Sequence, residues 1–587
     1  MTEELPPVEA PTVRPRPAEF TEEQLGFRPQ KAVRWLAPRV LITTGAQSLV
    51  AEIFGSFADK RELQAGLPAA VHRHGDAGEI WFDYVADLGD GFDATYSVAS
   101  LLAAESLELD GAGPLPRGRL LIMGGDQVYP AASTRAYEDR SKGPYRAALP
   151  VPQGVPPILL ALPGNHDWYD GLTAFLRVFA QRRPFGGWQT EQTRSYFAVQ
   201  LPRHWWLFAI DTQLDDYVDA PQLEYFRQAA AELRPGDAVI LCTSTPAWVS
   251  AGSGGESKGY DTIEFFSREI IRPRGASIRL MLSGDKHHYV RYAERGGTGQ
   301  RITCGIGGAY LSATHELPET LELPPPKSRV RRPPGTIQFD RKSTFPDQAT
   351  SRRLAPGIFR LPWRNPGFWL LTGILQTAMT LAVLLGLAVA DTGVGIFRLL
   401  AAWAPAVLVA TVLLLGGLGF ARINLPKDPR GNTVAGVLHA LAHIALSVGW
   451  AFLVLWFNVD VLPATKAADL LVFAIVIIGT PVVAGFLDAE IVAAYLLIAS
   501  RYGINLNEAF AGQSIEDHKG FLRLHIDQAG TLTVYPVKLP AVCRRWSPDP
   551  DGGPSDPWLR PASPLRPELI EERIVIPRLA QEPSTSR

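Results

Sequence analysis

The sequence predicts an α/β domain in its first half, then an all-α membrane domain of about four helices, then a small β-hairpin region. Three observations carry this reading. From about residue 36 to 315, short apolar runs alternate with helical stretches, and each run ends in a polar or glycine-containing loop. Between 366 and 500, four long apolar runs follow one another, each at or above the roughly 20 residues that cross a bilayer as a helix. Near the end, the alternating segments Phe521–Asp527 and Thr531–Val537 flank Gln528-Ala529-Gly530, which is a hairpin signal.

Taken in order, residues 1–35 are rich in Pro and Glu and read as a disordered lead without the apolar core of a signal peptide. The runs at Ile80–Val85, Leu120–Met123, Pro157–Leu162, Trp205–Ile210, Ala238–Cys242 and Ile278–Leu282 read as buried strands of a domain over 36–315. Residues 316–365 hold Pro324-Pro325-Pro326, Pro333-Pro334 and a run of Arg and Lys opposed between 327 and 364 only by Asp340 and Asp347. That is a basic, Pro-rich linker.

The membrane domain covers 366–500, with candidate spans at 367–390, 396–420, 433–457 and 468–498. The last is long, and Gly479-Thr480-Pro481 is a candidate kink or an end near Phe486. Basic residues before span one (Arg352, Arg353, Arg360, Arg364) and between spans two and three (Arg422, Lys427, Arg430) orient both termini to the cytosol. The expected location is the plasma (inner) membrane if the source is bacterial. His439 and His443 share one face of span three, and Asp488 and Glu490 lie late in span four. The plainer expectation for them is interfacial solvation with an interhelical hydrogen bond; the alternative is a second metal or proton site. Residues 501–547 form the small cytosolic β region, and 548–587 a Pro-rich, disordered tail.

The net charge of −2 gives no sign of a nucleic-acid partner. Three well-separated cysteines, Cys242, Cys304 and Cys543, suit a reducing compartment rather than a disulfide framework. The chemistry is carried by four strand-end motifs: Asp87-Leu88-Gly89, Gly125-Asp126-Gln127-Val128-Tyr129, Gly164-Asn165-His166-Asp167 and Gly284-Asp285-Lys286-His287-His288. Phosphate esters resist attack by hydroxide because the phosphoryl group is already negative. A site with two metal ions about 3.5–4 Å apart acidifies a water and clamps the phosphoryl oxygens. It needs a bridging carboxylate, further oxygen and nitrogen ligands and a proton donor, all of which loops after strands can deliver to one sheet edge.

These motifs resemble the calcineurin-like metallophosphoesterase superfamily, and within it the purple acid phosphatases, over roughly residues 38–315. That branch carries Asp-x-Gly, Gly-Asp-x-x-Tyr, Gly-Asn-His-Asp/Glu, a later His, and Gly-His-x-His; the first three patterns are present letter for letter. The resemblance implies a four-layer α/β/β/α sandwich. It also implies that Asp87, Asp126, Tyr129 and His287 bind a first ion, ferric in that branch, with Asp126 bridging to a second ion bound by Asn165. His166 would protonate the leaving oxygen or stabilise phosphoryl charge, and Asp167 would orient its loop. Two departures stand out. Ser244 occupies the place of the later His, and Asp285 the place of the first His of the last motif. Loss of two imidazoles shifts preference toward Mn²⁺ or Mg²⁺ and away from Zn²⁺, or leaves a single tightly held ion. Asp90, His288 and His315 are the additional candidates to fill the gap.

The implied function is a membrane-anchored, cytosol-facing phosphoesterase that cleaves a phosphate mono- or diester by attack of a metal-bound hydroxide, with one or two Fe, Mn or Mg ions as cofactor. The alternative is a non-catalytic membrane sensor or scaffold that keeps the fold with a degraded second site. The partners expected are a phosphoester substrate, in one version lipid-linked because of the basic linker, and the lipid bilayer. Nothing in the sequence speaks to oligomeric state.

Overall fold

The structure, a computed structural model, describes residues 14–54, 60–67, 70–213, 217–255, 257–330, 335–391, 395–422 and 429–578. Two compact units share the chain. One gathers the described parts of 1–33, 44–350 and 516–587, the other 34–43 and 351–515.

The first unit is mixed α/β. Among the described residues it holds two nine-stranded sheets. One runs, in spatial order, His72–Arg73, Phe197–Gln200, Trp205–Ile210, Ala238–Thr243, Ser277–Ser283, Gln300–Cys304, Tyr289–Glu294, Ile337–Phe345 and Thr320–Leu323. The other runs Glu568–Leu569, Leu532–Leu539, Lys519–Ile526, Ile80–Val85, Leu120–Met123, Ile158–Ala161, Trp188–Thr190 and Pro184–Phe185, with Ile574–Ile576 also beside Leu532–Leu539. The predicted strands fall where the apolar runs lie, and their central members are parallel and buried on both faces, which is why they read as continuous hydrophobic stretches. One apolar core joins the two sheets through Phe82, Leu120 and Leu160 on one side and Leu207, Ile240 and Leu280 on the other. A second sets Leu121, Leu159 and Phe521 against helical Tyr96, Leu102 and Phe175. The third sets Phe208, Leu241 and Met281 against helical Phe226, Ile263 and Phe266.

Four features of this unit differ from the expectations above. The hairpin is no separate region: Lys519–Ile526 pairs antiparallel with Ile80–Val85, with Arg523 opposite Asp83. Arg523 forks onto that carboxylate at 2.8 and 3.2 Å and donates to the Leu115 carbonyl at 2.9 Å, all of it buried. The tail is ordered through Pro577 and its neighbours, because Trp558 and Leu559 enter the core and Arg16 clasps the carbonyls of Asp549, Gly553, Asp556 and Pro557. That same clasp orders the lead from residue 14; the calls on 1–13 and 579–587 lie outside the described residues. The linker's first part is sheet edge, since Thr320–Leu323 and Ile337–Phe345 pair and extend the strand Tyr289–Glu294.

The second unit is helical. Four helices, Pro366–Ala390, Ile396–Phe420, Pro429–Val461 and Lys466–Ser500, are long and apolar enough to cross a membrane. This is consistent with an integral membrane protein. The fourth does not end near Phe486: it passes Gly479-Thr480-Pro481 in widened π-helical turns over Ile475–Ala484, which accommodate the missing proline N–H. His439, His443 and Asp488 are not solvated at an interface but buried among the helices. His443 Nδ1 is bonded to Asp488, whose Oδ1 also accepts from Gln376 at 2.7 Å. The His443 and His439 Nε2 atoms lie 2.9 Å apart, and Ser447 donates to Gln376 Oε1 at 2.7 Å. Glu490 stays partly exposed.

Removing one partner of a buried ion pair leaves an uncompensated charge and typically costs about 3–5 kcal/mol. Arg523→Met should therefore lower the first thermal unfolding transition strongly. Arg523→Met with Asp83→Leu should regain most of it, as read by thermal denaturation of the full chain.

Candidate metal centre

The site forms where strands from both sheets end. Asp87 follows Ile80–Val85, Asp126 follows Leu120–Met123, and Asn165 opens the short helix after Ile158–Ala161. From the other sheet, Ser244 follows Ala238–Thr243, and Asp285 and His287 follow Ser277–Ser283. Asp87, Asp126 and Asp285 all take left-handed backbone angles, with φ of 58°, 51° and 66°. Such angles are uncommon for residues other than glycine, though Asp tolerates them best, and they cluster where a site needs a side chain aimed against local preference. Glycines make room: a Cβ on Gly164 would sit 2.1 Å from Asp126 Oδ1, and one on Gly305 2.3 Å from Asp87 Oδ2.

Residues far apart in sequence meet at the Tyr129 hydroxyl. It lies 2.7 Å from Asp87 Oδ1, 3.2 Å from Asp126 Oδ2 and 3.0 Å from His287 Nε2. His287 Nε2 is itself 3.4 Å from Asp87 Oδ1, and its ring packs edge-on against Tyr310. The phenol has one hydrogen for two carboxylate oxygens, so the cluster needs another proton or a cation. Burial pushes the Asp126 carboxyl well above the usual range, and Asp87, Asp167 and Asp285 push it further. Burial, then Asp126 and Asp87, likewise hold the Tyr129 phenol protonated.

The neighbouring loop is braced. Asp167 Oδ2 accepts from the Gly164 and Gln127 N–H groups at 2.8 and 3.3 Å, and its other oxygen accepts from Tyr137. The His166 N–H donates to Asp126 Oδ1 at 2.9 Å. Its ring Nδ1 lies 2.6 Å from the Pro130 carbonyl, which can only accept, so Nδ1 carries the hydrogen and Nε2 is the titrating nitrogen. Burial pulls this imidazole down to about 4. The Asn165 amide donates to the Tyr169 hydroxyl at 3.0 Å.

The remaining candidates take other parts. Asp285 donates its N–H to Asp87 Oδ2 at 2.9 Å, while its carboxylate pairs with Lys286 at 2.8 Å. Burial works against the Asp285 anion, but Lys286 outweighs it and holds the carboxyl below its ordinary value. Both Asp90 oxygens are taken by backbone, Val33 N–H at 2.7 Å and Tyr310 N–H at 3.0 Å, which makes it a bracket between segments. His288 is buried, and burial drives it down to about 3. His315 lies 4.0 Å from Glu316. Ser244 is at the rim, its Cβ 3.2 Å from where a Gly125 Cβ would be, and its hydroxyl is bonded to Gln213.

Among the described residues, no three His, Cys, Asp or Glu side chains by themselves form a group set to hold an ion. The convergence runs through the Tyr129 hydroxyl, which stands between two carboxylates and an imidazole. Sequence reasoning missed Tyr137, Tyr169, Tyr310 and Gln213, for which no local pattern exists. Lys286 was visible beside Asp285 but not as its partner.

No family model and no curated protein matches this chain. A solved structure described as GAP50, the anchor in the inner membrane complex of Plasmodium, is similar over 45% of this chain and 78% of its own, at 14% identity and a TM-score of 0.30.

A carboxyl whose native pKa is raised stabilises the fold least when it must ionise, so this part of stability falls as pH rises above about 4. In chelator-treated protein, Asp126→Asn should raise the unfolding free energy at pH 8, because the amide has no charge to bury there. It should also flatten the decline in stability above about pH 4 in denaturant titrations.

Proposed function

We propose that this chain is a membrane-anchored, metal-dependent phosphoesterase that hydrolyses a phosphate mono- or diester. The observation that carries the reading is the meeting of Asp87, Asp126 and His287 at the Tyr129 hydroxyl. Their spacing along the chain is that of the calcineurin-like motifs, and the layered cores support the four-layer sandwich those motifs imply. The donor set fits a cation: two buried carboxylates, a phenol and an imidazole offer oxygen and nitrogen ligands with negative charge and, among the described residues, no Lys or Arg bonded to either carboxylate. Phenolate and carboxylate oxygens favour a hard ion such as ferric iron or Mn²⁺. When bound, an ion there supplies a Lewis acid and a water of lowered pKa.

The chain's own residues do the rest. Asp126 and Asp87 hold the charge in place. Asp167, tied to Gly164 and Gln127, keeps Asn165 and His166 presented at the start of their short helix. The Pro130 carbonyl fixes the His166 tautomer, so Nε2 is the atom that gains a proton when phosphoryl charge approaches and returns it to the departing oxygen. Cytosolic orientation follows from the basic flanks. The scaffold reading draws on Ser244, whose hydroxyl is engaged by Gln213 where the resemblance expects an imidazole.

The full chain, loaded with Mn²⁺ or iron, should hydrolyse a generic aryl phosphate monoester or diester, and His166→Ala should lower kcat by about 10²–10⁴-fold. Turnover no greater than that of His166→Ala favours the scaffold. Iron-loaded protein should show a visible tyrosinate band that Tyr129→Phe abolishes; no band in the iron-loaded wild type removes Tyr129 from the ligand set.

A further inference from the structure

The helix Pro38–Phe54 is built inside out. Ile42, Ala46, Leu49 and Ile53 recur at i, i+4, i+7 and i+11 and so form one stripe. In a globular protein that stripe would be buried. Here Ile42, Leu49 and Ile53 are 71%, 55% and 49% exposed. The opposite side, Thr44, Ser48 and Ala51, is the half-buried one. Ser48 is hydrogen-bonded to the Tyr169 hydroxyl, the group that receives the Asn165 amide. The side that carries Ser48 is toward Tyr169, while Leu41, Ile42, Leu49, Val50 and Ile53 are exposed apolar side chains.

An apolar cover for them has a source on this chain. Residues 34–43, which include the helix's first turns, group with the four long apolar helices. Pro38 lies 3.4 Å from where a Gly367 Cβ would be, at the beginning of the first of those helices. The exposed stripe therefore begins next to a segment long and apolar enough to enter a bilayer. Exposed apolar side chains next to such a segment are better covered by acyl chains than by water.

We propose that this helix is seated in the bilayer surface and that the phosphoester cleaved at the centre is carried by a lipid. The proposal rests on the phosphoesterase reading and names its substrate class. In the step it implies, a water oxygen forms the new bond to phosphorus and the bond from phosphorus to the lipid-borne oxygen breaks. The proton goes to the lipid alcohol, so no co-reactant beyond water is needed. Ser48 on this helix meets the Tyr169 hydroxyl that receives the Asn165 amide, so a lipid lying along the helix is close to the centre.

The test uses full-length protein in two arms. In the first, Leu49→Cys is labelled with an environment-sensitive dye in nanodiscs; the native cysteines are buried, so labelling is selective. Spin-labelled lipids should quench the dye, and no quenching overturns the seating. In the second, Leu49→Gln with Ile53→Gln is compared with wild type on an aryl phosphate and on mixed micelles of phosphatidic acid and phosphatidylglycerol. Lipid turnover should fall at least ten-fold while aryl phosphate turnover stays within two-fold. Aryl phosphate cleavage by wild type without cleavage of either lipid overturns the substrate class and leaves the phosphoesterase reading standing. Loss of both activities together in the double variant overturns the role given to the stripe. Wild type inactive on every phosphoester removes the phosphoesterase reading, and with it the substrate, while the quenching arm still decides the seating.

Discussion

Like charges held close together in a place poor in water repel, and the arrangement of Asp87, Asp126 and Asp285 where strands of two sheets end is governed by that constraint. Each carboxylate is answered differently. Asp285 is diverted to Lys286. Asp87 takes the Tyr129 hydrogen and the Asp285 N–H. Asp126, with the His166 N–H and a share of the phenol, remains the least compensated. Much of the surrounding backbone serves this: three left-handed turns aim the carboxylates, and glycines at 164 and 305 leave them room. Such strain persists only where the surroundings over-determine it, and two sheets with a shared core provide that.

The chain's ends tighten the unit that bears the strain. Arg523 reaches from the hairpin to Asp83, four residues before Asp87, and a buried fork there fixes the strand from which Asp87 projects. Because strands before and after the four long helices pair in one sheet, the chain crosses any bilayer an even number of times between them. This agrees with four helices long and apolar enough to cross a membrane among the described residues.

The parts legible in the sequence were those encoded locally. Strands buried on both faces are continuous apolar runs, and loops at their ends keep motif residues within a few positions of a strand, so Asp87, Asp126, Asn165 and His287 could be found by spacing. Tyr129 was found the same way, three residues after Asp126. What depends on partners distant in sequence was not legible. Nothing near Arg523 announces Asp83, and nothing near Arg16 announces the tail carbonyls it holds. Asp285 could be read as a ligand because its spacing is right, while its pairing with Lys286 depends on which way two side chains turn. The helix Pro38–Phe54 shows a further limit: an apolar stripe has the same spelling whether it faces a core or a membrane.

The strand Lys519–Ile526 closes against Ile80–Val85, and the pair Arg523 and Asp83 is separated by 440 residues. At a synthesis rate of roughly 5–20 residues per second, the earlier strand waits on the order of 20–90 s for its neighbour. Throughout that interval it is an open sheet edge, the kind of template on which other chains pair wrongly. The helices made in between must also find their lipid before the hairpin emerges. Assembly of this protein is thus a matter of timing: the two-sheet unit is begun first and finished last, and a nascent chain halted after its fourth long helix would present an unfinished sheet to its surroundings.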